Sequence, residues 1–277
     1  MTYGFDDVNG IAPVKDVLGG DLVRILMVGD VIGQPGRNAI KVLLPDLIDE
    51  YNIDLTVLNG ENAAGGFGIT SGIAQELFDY GVDVITSGNH IWDQREIIPH
   101  LDGHLPIIRP LNYPPTVPGK GYISVKGVTV VNIIGRVFVG NYDCPFRAMD
   151  TLLDKLKGTS SIIVVDFHAE ATSEKMAMGW YLDGRVSALV GTHTHVGTAD
   201  QRLLSRGTAY LTDLGMVGPM NSVIGSNIED VLERFLNQTP RRLNVSSGPV
   251  QFNAAMVDID ETNGMATQII RVDRQVF

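Results

Sequence analysis

The chain has 277 residues, 44% of them hydrophobic and 19% charged, with a formal net charge of −11 and one cysteine. That composition fits a soluble globular protein with a sizeable core and argues against extensive disorder. It rules out an internal disulfide framework and a cysteine-based zinc site, and it disfavours a long nucleic-acid partner, because Lys/Arg clustering goes no further than Arg241-Arg242.

No segment approaches the ~18 uninterrupted apolar residues of a membrane span, so no membrane is expected. Residues 1–20 lack the basic-then-apolar pattern of a signal peptide and read as an N-terminal extension. Residues 21–277 read as one domain. The lone Cys144 reads as a buried free thiol; it fits a reducing cytosol, and a cytoplasmic location is expected.

In chain order, LVRILMVG (22–29) predicts a strand and RNAIKVLLPDLIDEY (37–51) a helix, kinked or broken at Pro45. LTVLNG (55–60) predicts a strand, SGIAQELFDYG (71–81) a helix closed by Gly81, and VDVITSG (82–88) another strand. The Pro-rich stretch 109–119 reads as a surface loop. YISVKGVTVVNII (122–134) predicts a hairpin turning at Lys126-Gly127, followed by a helix near 147–157. SIIVVDF (161–167), VSALVG (186–191) and TAYLTDLG (208–215) predict strands. A helix near 227–237 and two strands, near 250–259 and 265–273, complete the pattern. Short apolar strands separated by helices imply an α/β fold with a buried sheet covered by helices.

The polar residues that end these strands carry the functional signal. The first strand runs into Asp30, the second into Glu61-Asn62, the third into Asn89-His90. SIIVVDF runs into His168, and VSALVG into Thr192-His193-Thr194-His195. Each residue alone has a plain structural reading: a cap or turn for Asp30, a core histidine for His90 or His168. Together they are harder to dismiss, because ligands gather at the carboxyl ends of strands in open α/β sheets. His100 and His104, in a polar loop, read as solvated. Imidazole, carboxylate and amide oxygen in one cluster suit first-row metals such as Mn, Fe or Zn. In a loop, His193 and His195 can reach two adjacent metals, and Glu61 is the candidate to bridge them. Such a pair clamps the attacking and leaving oxygens of phosphoryl transfer and brings a water into nucleophile range. Thr192, Thr194 and Arg37 are candidates for phosphate contact or loop packing, with Arg136 and Arg147 behind them. GGFG (65–68) lacks the Lys-Ser/Thr of a nucleotide loop and reads as a flexible loop.

The blocks GDVIG (29–33), NGENAAGG (59–66), SGNHIWD (87–93), DFHAEATSEK (166–175) and GTHTHVGTAD (191–200) resemble the YmdB-like branch of the calcineurin-like metallophosphoesterases. The resemblance covers the chain from about residue 22 onward. It implies a four-layer α/β/β/α sandwich and two divalent or trivalent metal ions, Fe or Mn above Zn. Asp30 and His195 would hold the first metal with Asn62 near it. Asn89, His168 and His193 would hold the second, and Glu61 would bridge. His90 would act on the substrate. The pattern departs from the wider superfamily at Ile32, where a metal-binding histidine is usual, at Glu61, where an aspartate is usual, and in the extra residue of Gly191–His195. These departures agree with the YmdB-like branch.

The activity so implied is hydrolysis of 2′,3′-cyclic nucleotides at the 2′ ester bond by a metal-bound hydroxide. The partner is then a small phosphodiester. Another dinuclear phosphoesterase, such as a protein phosphatase or nuclease, and a non-catalytic metal- or nucleotide-binding regulator are the alternatives. The apolar content permits a homo-oligomer without specifying one.

Overall fold

The computed structural model describes residues 22–277; the N-terminal extension expected at residues 1–20 lies outside the described residues. The elements are β1 (Leu22–Val28), β2 (Asp30–Val31), α1 (Gly33–Tyr51), β3 (Leu55–Asn59), α2 (Ser71–Asp79), β4 (Val84–Thr86), a 3-10 turn (Arg95–His100), β5 (Tyr122–Val125), β6 (Val128–Ile134), α3 (Pro145–Leu156), β7 (Ile162–His168), α4 (Thr172–Leu182), β8 (Ala188–Thr192), β9 (Arg202–Leu203), β10 (Ala209–Leu211), β11 (Met216–Pro219), α5 (Ile228–Asn237), β12 (Val250–Phe252), β13 (Ala254–Asp260), β14 (Ala266–Arg271) and β15 (Arg274–Val276).

The described strands form two large sheets, ordered β14-β13-β1-β3-β4 and β5-β6-β7-β8-β10-β9, and a small one, β15-β12-β11-β2. Apolar side chains of β1, β3, β4 and β13 (Ile25, Met27, Val57, Val84, Val257) meet those of β6, β7, β8 and β10 (Val128, Val164, Val190, Leu211) in one core between the sheets. The opposite face of the first sheet packs on α1 and α2 through Ile40, Leu44 and Leu77. The opposite face of the second packs on α3 and α4 through Met149, Leu152, Met178 and Leu182. The layers are therefore α/β/β/α. The central strands β1, β3, β6, β7 and β8 are buried on both faces, which is why they read as continuous apolar runs. Burial of each such side chain stabilises by roughly 1.5–3 kcal/mol.

Topology makes the site. β1, β3 and β4 run parallel, as do β6, β7, β8 and β10. Their carboxyl ends lie along one edge of each sheet. The late strands β13 and β14 pair antiparallel at the outside. The hairpin turns at Lys126 and Gly127, with φ of 49° and 81°, the left-handed pair that a two-residue turn requires.

Several expectations need correction. α1 starts at Gly33, four residues early, and continues through Pro45 without a break. Pro45 is exposed, so the carbonyl of Lys41, left without an N–H partner, is on the solvent side. The strand near 250–259 divides at Asn253 into β12 and β13, which belong to different sheets; the Asn253 carbonyl accepts from Gly29 N (3.0 Å), at the matching break between β1 and β2. The 109–119 loop is not wholly on the surface, since Arg109 and Asn112 are buried. Cys144 is a free thiol but only half-buried. His100 and His104 are exposed, as read.

Candidate metal centre

Each candidate residue follows a strand. Asp30 is the first residue of β2, one glycine beyond β1. Glu61 and Asn62 lie just beyond β3, and Asn89 and His90 just beyond β4. His168 is the last residue of β7, and His193 is the first residue after β8. All sit on the shared carboxyl edge, where the two sheets bring them together.

Two donor groups result. In the first, Glu61, His168 and His193 hold ligand atoms within 4.8 Å of one another; in the second, Asp30, Glu61 and His195 do the same. Glu61 belongs to both. His168 Nε2 lies 3.1 Å from Glu61 Oε1, 3.2 Å from Asn89 Oδ1 and 3.0 Å from His193 Nδ1. His195 Nε2 lies 3.0 Å from Asn62 Nδ2 and 3.9 Å from Asp30 Oδ1. The structure thus brings together Asp30, Glu61, Asn62, Asn89, His168, His193 and His195, with His193 and His195 in different groups.

The arrangement fits cations on three observations. Asp30 Oδ1 is buried with no hydrogen-bond partner, a state that costs free energy unless a positive charge satisfies it. Ring nitrogens of His168 and His193 face each other at 3.0 Å, and neutral imidazoles have too few protons to satisfy every such contact in this cluster. Gly88 keeps the space between them open: a Cβ there would collide with Glu61 Oε2 and the His168 ring. Carboxylate, imidazole and amide oxygens are the hard-to-intermediate donors that Mn, Fe and Zn accept.

The electrostatics follow from burial and proximity. Burial pushes the Asp30 carboxyl up to about 6, against the pull of His195 and His168. Burial also works against the Glu61 carboxylate, but the adjacent His168 and the His90 N–H outweigh it and hold Glu61 at about 2. Burial and the charge of His168 push His193 down to about 3.

A supporting shell escaped the sequence reading. Asp166, buried within β7, accepts from Thr192 Oγ1 (2.6 Å) and Asn59 Nδ2 (3.0 Å), and Thr192 Oγ1 in turn lies 3.0 Å from His168 Nδ1. This chain fixes the His168 ring, as outer partners do for metal-binding histidines. Lys175 of α4 is buried and donates to Thr192 O (2.8 Å) and Asp213 Oδ2 (2.5 Å); Thr194 Oγ1 also donates to Asp213 (2.8 Å). These bonds hold a loop in which His193 and His195 both take left-handed backbone, with φ of 98° and 63°, a conformation that persists only where its surroundings impose it. The signal for Asp166 was a charged residue inside an apolar run; Lys175 carried none.

His90 stands apart from the two groups. Its backbone N–H donates to Glu61 Oε2 (3.1 Å), while its ring Nδ1 lies 2.8 Å from Asp93 Oδ2. Asp93 orients the ring and leaves Nε2 available. Of the phosphate candidates, Thr192 and Thr194 are engaged as above. Arg37 is committed to Ala63 O (2.6 Å) and Glu76 (3.2 Å). All three side chains thus bond within the protein.

Residues 26–272 match the family described as YmdB-like protein. A protein of Bacillus subtilis (strain 168) named 2′,3′-cyclic-nucleotide 2′-phosphodiesterase is 45% identical over 254 residues, covering 90% of this chain and 96% of its own. The crystal structure of a hypothetical protein from Thermus thermophilus superposes with a TM-score of 0.86 at 42% identity, covering 91% of this chain and 99% of that one. That of a novel phosphatase from Mycoplasma pneumoniae gives 0.87 at 32% identity, covering 92% and 94%. The chain belongs to the YmdB-like family, as its residue blocks implied.

Proposed function

We propose that the protein is a metal-dependent phosphodiesterase that hydrolyses 2′,3′-cyclic nucleotides at the 2′ ester bond through a dinuclear site. The observation that carries this reading is the pair of donor groups sharing Glu61, with Asp30 Oδ1 buried and unpartnered beside them. The name of the Bacillus subtilis relative supports the substrate class. Asp30, His195, Glu61 and Asn62 would hold one cation; Glu61, Asn89, His168 and His193 the other. This donor set accepts Fe, Mn and Zn alike, with availability deciding among them. Two such cations, when bound, supply charge neutralisation at the phosphoryl oxygens and a water acidic enough to attack.

The chain's own residues do the rest. Glu61 sets the spacing of the two groups. Asp93 holds the His90 ring, whose Nε2 delivers a proton to the departing O2′ as the P–O2′ bond breaks. Water adds to phosphorus, so the products are a 3′-phosphomonoester and a free 2′-hydroxyl. No helix of the described residues is long and apolar enough to cross a membrane.

The test is incubation of 2′,3′-cyclic AMP with the Mn-supplemented protein, separating the product isomers by chromatography. The expected product is 3′-AMP, absent with His193→Ala. No turnover by protein that elemental analysis shows to carry its metals would sink the reading. Preference for phosphomonoesters or polymer ends would replace it with a phosphatase or nuclease.

A further inference from the structure

A cleft of about 550 Å³ is lined by Arg136, Val137, Asn141, Tyr142, Asp143 and Glu174. That size is within the usual range for small-molecule sites. Its position is fixed from two sides. On one side, Ile134 at the end of β6 pairs in register with His168, and Gly135 N donates to His168 O (2.9 Å). Arg136 follows two residues beyond Ile134, so its Cα lies at most about 12 Å from that of His168. On the other side, Trp92, two residues past His90, packs edge-on against Tyr113 (5.5 Å), and Tyr113 packs edge-on against Tyr142 (5.1 Å). One wall of the cleft thus lies within about 12 Å of the His168 backbone, and an aromatic ladder links another to the His90 loop.

The cleft is also built rather than left over. Asn112 is buried, and its side chain donates to Ile134 O (2.8 Å) and Asp143 O (2.9 Å), closing the 135–143 loop at both ends. Glu174 of α4 accepts from the backbone N–H groups of Arg136 (3.0 Å) and Val137 (3.1 Å) and pins its near wall. The Arg136 guanidinium is exposed and, among the described residues, has no hydrogen-bond or ion-pair partner. The walls thus offer a half-buried tyrosine, a free guanidinium, an amide and a carboxylate.

We propose that this cleft holds the nucleoside portion of the substrate. Tyr142 stacks with the base, Arg136 and Asn141 bond its edge or its plane, and Asp143 accepts from a ribose hydroxyl. Stacking on an aromatic face and on a guanidinium suits every base, so the cleft selects nucleotides over simple phosphodiesters without strong base preference. The inference rests on the phosphodiesterase reading above and names where the non-reacting part of that substrate binds.

The experiment compares 2′,3′-cyclic AMP with cyclic ethylene phosphate, a phosphodiester with the same five-membered ring and no nucleoside, on metal-loaded protein. Wild type, Tyr142→Ala and Arg136→Ala are assayed on both, with phosphorus NMR reading the second substrate. The expected result is a kcat/KM for the nucleotide well above that for ethylene phosphate, reduced about tenfold or more in either variant through KM, with ethylene phosphate hydrolysis unchanged. Arg136 is exposed, so its variant remains informative if Tyr142→Ala fails to fold. Equal loss on both substrates, no loss on either, or a wild type that treats the two alike overturns the cleft while leaving a phosphodiesterase in place. Turnover of neither substrate by the metal-loaded wild type removes the activity and the cleft's role together.

Discussion

His90 is the residue whose role can be separated most cleanly from metal binding. It touches the candidate metal centre through its backbone N–H, which bonds Glu61, and not through its ring. Replacing the ring with a methyl group leaves that bond available. His90→Ala should therefore keep its metals and lose about 10²-fold or more in kcat, the usual weight of a positioned proton donor. His193→Ala, which removes a ring 3.0 Å from His168, should lose both metal and activity. Elemental analysis beside turnover checks the pair. Metal lost from His90→Ala would place the ring among the ligands instead. Asp93 is a positioning residue in this scheme, since it reaches the substrate only through His90.

At the scale of elements, α4 shows why part of the site was illegible. Its buried positions are Glu174, Lys175, Met178, Gly179 and Leu182. Two of the five are charged and one is glycine, so the buried stripe does not read as apolar and no periodicity announces the helix. The reason for those charges is tertiary: Glu174 ties down the 135–137 backbone, and Lys175 ties down the histidine loop. The strand ends were legible for the opposite reason, because doubly buried strands leave an apolar run that stops abruptly at Asp30, Glu61, Asn89, His168 and His193. Lys175→Met tests the tie. It leaves Asp213 buried without its cation, a change that costs about 3–5 kcal/mol, and it frees a loop held in left-handed backbone. The expected outcome is a lower denaturant midpoint together with lower metal content. Full metal content in a merely destabilised variant would show that the loop is held by other contacts.

For the whole molecule, the cluster and the cores are distinct sources of stability. The layers are held by apolar cores on both faces of two sheets, and by buried ties such as Arg24, which donates to both oxygens of Asp258 across β1 and β13 at 2.6 and 2.9 Å. None of these needs a metal. The edge where the sheets meet is different: among the described residues Asp30 Oδ1 has no hydrogen-bond partner, and burial pushes that carboxyl up to about 6. Convergence on that edge could be anticipated from the strand ends, whereas the side on which each histidine falls came only with the family resemblance, because His193 and His195 are directed by left-handed backbone that leaves no mark on the residue pattern. Cations that bind the folded edge and not the unfolded chain stabilise by about 2.7 kcal/mol each at a hundredfold excess over Kd. In a chain of this length that corresponds to a rise of about 5 °C in Tm for each ion bound. Chelation, which removes both ions, should lower Tm by about 10 °C, and added Mn should restore it. The chelated protein should keep its far-ultraviolet circular dichroism at 25 °C, because the cores are intact. A Tm indifferent to metals shown to have been removed would mean that the donor groups hold no cation, and the buried oxygen of Asp30 would then need another partner.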